Sequence, residues 1–242
     1  MAARLGVAMF ALQASIGALN DVVDAPRDGG SKPGKPISAG LVSRSTAQAV
    51  AASAAIVGLA FSAASGVATL GLAVVVLAIG YAYDLFAKGT TWSWLPFAVG
   101  IPLLPVFGWY GAAGTLAPAF ALLVPVAVIT GAALAIANAR ADAERDAASG
   151  TDSVAIRLGA ERSWMLASGL LVAVVVIAIA TLVAWKAPVS AIIGAVAGVA
   201  VIGLGIAAGR DSRPARLERA WELQAVGVGI LAAAWLAGWA AT

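Results

Sequence analysis

Met165-Leu166-Ala167-Ser168-Gly169-Leu170-Leu171-Val172-Ala173-Val174-Val175-Val176-Ile177-Ala178-Ile179-Ala180-Thr181-Leu182-Val183-Ala184 runs without a single charged side chain. A helix needs roughly 20 apolar residues to cross the hydrocarbon core of a bilayer, and this stretch supplies them. Working outward, seven further segments read the same way. The spans fall near residues 3–20, 44–64, 66–86, 94–112, 117–138, 163–184, 188–208 and 219–240. The whole chain is 62% hydrophobic and 11% charged, with a mean hydropathy of +0.96. Soluble domains sit near about half apolar and a quarter charged, so an aqueous helical bundle is set aside. The expectation is an all-α integral membrane fold: about eight transmembrane helices in one bundle. Residues 1–242 read as a single membrane-embedded domain.

The loops give the topology. Connections after the first, third, fifth and seventh spans share one side. All but Arg4 and Lys186 of the 15 Lys and Arg lie there, and so do all 12 Asp and Glu. Lys and Arg set orientation, so that side reads as cytoplasmic and the protein as multi-pass in the plasma membrane. The acids are no part of that rule and call for another cause. The active site is therefore expected on the cytoplasmic face. All but Trp235 of the eight tryptophans lie near span ends, as an interfacial belt requires. Eight spans with a cytoplasmic first loop put the N-terminus outside, so a further helix upstream of Met1 is expected.

Cysteine and histidine are both absent. That excludes disulfides, thiolate catalysis, Cys/His zinc sites and imidazole bases. The net charge of +3 is too small to argue for nucleic acid. Any chemistry rests on Asp, Glu, Lys, Arg, Tyr, Ser and Thr.

Two acidic stretches stand out. Asn20-Asp21-Val22-Val23-Asp24-Ala25-Pro26-Arg27-Asp28 leaves the first span, and Asn138-Ala139-Arg140-Ala141-Asp142-Ala143-Glu144-Arg145-Asp146 leaves the fifth. Asn20, Asp24 and Asp28 stand at i, i+4 and i+8, as do Asn138, Asp142 and Asp146, so a helix aligns each trio on one face. Pro26 is expected to loosen the end of the first ridge. The repeat suggests two four-helix halves, each offering an Asn-Asp-Asp ridge on the same side. Clustered carboxylates beside a bilayer are costly and usually functional. Hard oxygen donors without His or Cys suit Mg²⁺, which typically binds a few carboxylates together with substrate phosphates. Two acidic ridges can thus hold Mg²⁺ and, through it, a diphosphate. The plainer reading is solvated loop acids; doubling in register, with Asn leading both, favours metal.

Basic side chains flank these acids: Arg27, Lys32 and Lys35 after the first motif, Arg140 and Arg145 within the second, and Lys88 after the third span. Lys35, Lys88 and Arg145 are candidates for neutralising diphosphate charge. Arg157, Arg162 and the basic residues from Arg210 to Arg219 fit topology alone.

The first motif resembles, in full, the Asp-rich motif of the UbiA-type intramembrane prenyltransferases, and Asp142 with Asp146 resembles their second. Gly150 to Gly159 is similar to the continuation of that second motif, and Lys35-Pro36-Ile37-Ser38-Ala39-Gly40 to the family's Arg-Pro-Ile segment, with Lys for Arg. Tyr83 and Lys88 resemble its tyrosine–lysine element at a spacing of five instead of four. The resemblance covers nearly the whole chain and implies a nine-helix fold whose first helix precedes Met1.

It also implies Mg²⁺-dependent transfer of an isoprenyl group from a prenyl diphosphate to a small acceptor, within a lipid-filled bundle. An aromatic quinone precursor such as a hydroxybenzoate is the expected acceptor, which would place the enzyme in quinone biosynthesis. Asn20, Asp24, Asp142 and Asp146 would be the main metal ligands, with Asp21 and Asp28 in support. Asp24, Asp142, Asp146 and Lys88 would be catalytic. Tyr81 and Tyr83 would steady an allylic cation through their ring faces, and Asp84 would stand on the acceptor side.

Two other classes compete. Membrane CDP-alcohol phosphotransferases gather their acids into one run, whereas these are divided between helices four apart. A polytopic transporter needs polar groups in mid-span, and this chain has almost none.

Overall fold

The structure, a computed structural model, describes residues 1–28, 35–148, 150–211 and 213–241, without the side chains of Arg27 and Asp28. Lys32 and the Asp28 carboxylate, both singled out above, therefore lie outside the description. The described chain is helical throughout: α1 (Ala2–Asp28), α2 (Arg44–Ala63), α3 (Val67–Ala82), α4 (Trp94–Ala113), α5 (Phe120–Ala148), the short α6 (Val154–Leu158), α7 (Ala160–Ala184), α8 (Val189–Ala208) and α9 (Pro214–Ala240). One π-helical turn, Tyr83–Ala87, continues α3. Eight of these helices are long and apolar enough to cross a membrane.

The helices start and stop where local chemistry dictates. Ser43 caps α2 by accepting the Thr46 N–H at 3.0 Å. Pro102 and Pro105 lie inside α4 and Pro125 inside α5 without ending either helix. Membrane helices tolerate this because neighbouring groups satisfy the freed carbonyls. Pro26 behaves likewise, and α1 runs on to Asp28 instead of loosening. The fifth helix also outruns its expected span, starting at Phe120 and continuing to Ala148. Both acidic motifs consequently remain helical.

The chain divides into two compact units. The first comprises Met1–Lys88 and Pro102–Phe120; the second comprises Gly89–Ile101 and Ala121–Thr242. In the first unit, Leu5, Ala8 and Leu12 of α1 pack with Ala73, Val76 and Leu77 of α3 and with Phe107 of α4. Ser15 is fully buried. Its hydroxyl donates to the Ala51 carbonyl at 2.7 Å and lies 2.7 Å from the Tyr81 hydroxyl. Serine has one proton to give, so Tyr81 is the donor to Ser15. That chain of hydrogen bonds ties α1, α2 and α3 together.

In the second unit, α8 and α9 pack backbone to backbone. A Cβ on Gly198 would meet the Leu231 nitrogen at 2.7 Å, and one on Gly227 would meet the Ile202 nitrogen at 2.7 Å. Small residues permit that approach, the usual device where helices associate in lipid. Across the same unit the Trp235 indole donates to the Thr181 hydroxyl at 2.7 Å and lies 4.9 Å, ring to ring, from Trp185.

Candidate active site

The first acidic motif is built at the end of α1. Asn20 and Asp24, one helical turn apart, are met by two residues one turn apart after α3. The Asn20 side-chain amide donates to Asp84 Oδ1 at 2.7 Å, and Lys88 Nζ donates to Asp24 Oδ2 at 2.5 Å. Both pairs are separated by 64 residues. A constant offset means that α1 and the α3 extension run in the same direction and meet in rungs, as their shared topological parity requires.

The π turn reconciles the spacing of Tyr83 and Lys88. The Lys88 N–H bonds the Tyr83 carbonyl at 2.8 Å, an i to i+5 closure. A wider turn absorbs one extra residue, so positions five apart fall on one face as positions four apart do in an α-helix; such turns frequently mark functional sites. Lys88 Nζ also lies 6.0 Å from the centre of the Tyr83 ring.

Residues 35–41 lie against the motif. Pro36 opens a turn closed by Leu41 N–H to Pro36 O at 2.9 Å and Gly40 N–H to Ile37 O at 3.0 Å. Gly40 leaves it with φ of 71°, which only glycine adopts without strain. The turn brings Lys35 Nζ onto Asp24 Oδ2 and the Ile37 N–H onto Asp21 Oδ2 at 3.2 Å. Asp24, 4% exposed, thus carries two ammonium groups on one oxygen. Asp21 Oδ1 and Asp84 Oδ2 are buried with no hydrogen-bond partner among the described residues.

The second motif stands on α5. Asn138, Asp142 and Asp146 are half-buried along one face, while Glu144 and Arg145 are exposed. Arg145 pairs with Asp142 one turn away. Arg140 has a different task. It is buried, and its guanidinium donates to the Ala160 carbonyl at 2.9 Å and to the Gly209 carbonyl at the end of α8. Trp164 donates to Ile206 at 3.0 Å, and Arg210 stacks over the Trp164 ring at 5.1 Å. The last turn of α8 is therefore capped by side chains, with cations at its negative pole. Beyond α5, exposed Asp152 accepts from Arg157 at 2.6 Å, and that guanidinium holds the carboxyl below the usual carboxylate range.

The donor set fits a hard divalent cation. It consists of carboxylate and side-chain amide oxygens, and Asp21 Oδ1 is buried with no hydrogen-bond partner among the described residues. No group of three or more acidic side chains converges on one point among the described residues. Mg²⁺ seldom takes an all-protein cage and completes its shell with water and substrate phosphate.

These features define a polytopic helical membrane protein whose polar machinery gathers acids and ammonium groups at helix ends. The sequence matches the UbiA prenyltransferase family over residues 1–230. The chain belongs to that family and is an enzyme of the prenyltransferase class. Its fold is similar to the apo structure of a UbiA homologue from Aeropyrum pernix K1, with 20% identity, a TM-score of 0.78, and 96% of this chain and 86% of that one covered. It is also similar to a UbiA homologue from Archaeoglobus fulgidus bound to GPP and Mg²⁺ (17% identity, TM-score 0.62, 96% and 87% covered). A third similar structure is a digeranylgeranylglyceryl phosphate synthase (18% identity, TM-score 0.69, 97% and 84% covered). No curated protein matches the sequence.

Proposed function

We propose that the chain transfers an isoprenyl group from a prenyl diphosphate to an aromatic quinone precursor such as a hydroxybenzoate, with Mg²⁺ as cofactor. The observation that carries this reading is the grouping of Asn20, Asp24, Lys35 and Lys88, which sets metal-binding oxygens beside two ammonium groups. A metal-complexed diphosphate asks for that combination. Membership of the family and the GPP- and Mg²⁺-bound homologue support the donor and the cofactor.

In this reading Asn20, Asp21, Asp24 and Asp28 of the first motif and Asn138, Asp142 and Asp146 of the second are the groups that hold Mg²⁺ for the diphosphate. Bound Mg²⁺ supplies charge compensation for the departing diphosphate. Lys35, Lys88 and Arg145 neutralise the oxygens that the cations leave uncovered. The bond between the allylic carbon and the diphosphate oxygen breaks, and the rings of Tyr81 and Tyr83 face the cation. An electron-rich ring carbon of the acceptor forms the new bond and afterwards loses its proton to the departed diphosphate.

The positive-inside distribution supports catalysis on the cytoplasmic face of the plasma membrane. The test is to incubate membranes carrying the protein with radiolabelled isoprenyl diphosphates of several lengths and a panel of acceptors: hydroxybenzoates, dihydroxynaphthoate and glyceryl phosphates. Label entering a hydroxybenzoate supports the proposal. Label entering only a glyceryl phosphate overturns the acceptor, and no Mg²⁺-dependent transfer to any acceptor overturns the activity.

A further inference from the structure

Asp84 sits on the π turn, 3% exposed, one helical turn before Lys88. Lys88 gives its hydrogen bond to Asp24 instead. What Asp84 touches is Asn20: its Oδ1 accepts the Asn20 amide N–H at 2.7 Å, while its Oδ2 is buried with no hydrogen-bond partner among the described residues. Burying a carboxylate for one hydrogen bond is costly, so the arrangement calls for a use.

Asn20 supplies one. A primary amide has two ends of nearly equal size and opposite chemistry, and only its oxygen can serve a hard cation. A carboxylate accepts hydrogen bonds and cannot donate them. Facing Asp84, Asn20 has to present its NH₂, which turns its Oδ1 the other way. We infer that Asp84 is a positioning residue that locks the Asn20 side-chain amide with its oxygen offered to the cation. The inference rests on the Mg²⁺–diphosphate reading above and deepens it. Partners of this kind, one bond behind a metal ligand, fix its orientation and typically change metal affinity by about 10–100-fold when removed. The anchor is well placed: Asp84 and Lys88 are one turn apart, as are Asn20 and Asp24, so one rigid turn orients both residues of the motif.

The test uses the full-length protein in lipid nanodiscs and reads Mn²⁺ binding by electron paramagnetic resonance, independently of turnover. Asp84→Asn can donate to Asn20 Oδ1 and so competes for the oxygen; it is expected to weaken Mn²⁺ binding at least about tenfold. The exchange variant, Asn20→Asp with Asp84→Asn, conserves net charge and restores a donor–acceptor pair with its polarity reversed, leaving one Asp oxygen for metal. It is expected to recover most of the lost affinity, and with it the Mg²⁺ concentration needed for half-maximal activity. Unchanged binding in Asp84→Asn overturns the inference, as does an exchange variant no better than the single one. If the wild type and Asp24→Ala bind Mn²⁺ equally, the metal reading itself fails and takes the inference with it. Size-exclusion profiles and helical circular dichroism establish that each variant is folded.

Discussion

Lys88 reaches Asp24 even though five residues, not four, separate it from Tyr83, because the chain between them winds as a single π turn. The spacing that departs from the family's pattern is thus absorbed in the backbone, and the ammonium still arrives at the acid. The contact also explains why Asp24 can be almost fully buried. Two ammonium groups share its charge, and burying a carboxylate is costly unless it is paired in this way.

Lys88→Ala removes one of those cations and, in the proposed function, a contact to the donor diphosphate. Charge-assisted bonds of this kind are worth about 1.5–3 kcal/mol, which corresponds to roughly 10–100-fold. The expected outcome is a KM for the prenyl diphosphate raised by that factor, with a smaller change in kcat. Steady-state kinetics over a donor titration checks it, and an unchanged KM would leave Lys88 with a topological role only.

The π turn makes its own prediction. Deleting Phe86, which is 78% exposed, lets the segment wind as an α turn with the lysine four residues from Tyr83 and still on the same face. Inserting an alanine after Leu85 rotates the lysine away from that face. Transfer assays should find substantial activity in the deletion and little in the insertion. Equal loss in both would show that the turn does more than absorb a residue.

Arg140→Ala leaves the carbonyls of Ala160 and Gly209 without their buried donor. Hydrogen bonds from a charged group are worth about 1.5–3 kcal/mol, so thermal unfolding in detergent should shift clearly downward. Arg140→Lys should rescue only part of this, since one ammonium cannot reproduce a planar fork. Full rescue by lysine would mean that charge, and not geometry, is what the end of α8 requires.

At Gly198 the neighbouring α9 backbone leaves no room for a side chain. Gly198→Val should destabilise the α8–α9 pair by about 1–3 kcal/mol through overpacking. Gly203→Ala, where open space surrounds the position, should be close to neutral. Comparing the two melting temperatures separates a packing effect from a general intolerance of substitution in α8.

Much of this was legible beforehand, and for identifiable reasons. The eight spans were readable because lipid demands unbroken apolar length, as in Met165 to Ala184. The i, i+4 spacing of Asn20 with Asp24 and of Asn138 with Asp142 was readable because both motifs leave spans already recognised as helical. The helical course through Pro26 was harder to read, since a proline loosens or continues a helix according to what its neighbours satisfy. Arg140 read only as a basic residue among the acids of the second motif, and only the fold shows carbonyls from two other helices converging on it. The rung between Asn20 and Asp84 joins residues far apart in sequence, with no local pattern to announce it. The best available signal was a carboxylate placed at the end of an apolar span.

The central claim is that each acidic motif is required for Mg²⁺-dependent transfer of the prenyl group. Asp24→Ala and Asp142→Ala, each in nanodiscs with labelled prenyl diphosphate, the identified acceptor and Mg²⁺, measure it directly. Each variant should insert and fold yet lose transfer completely, and EDTA should silence the wild type until Mg²⁺ is returned. Full activity in either variant, or wild-type transfer that persists in EDTA, would contradict the account.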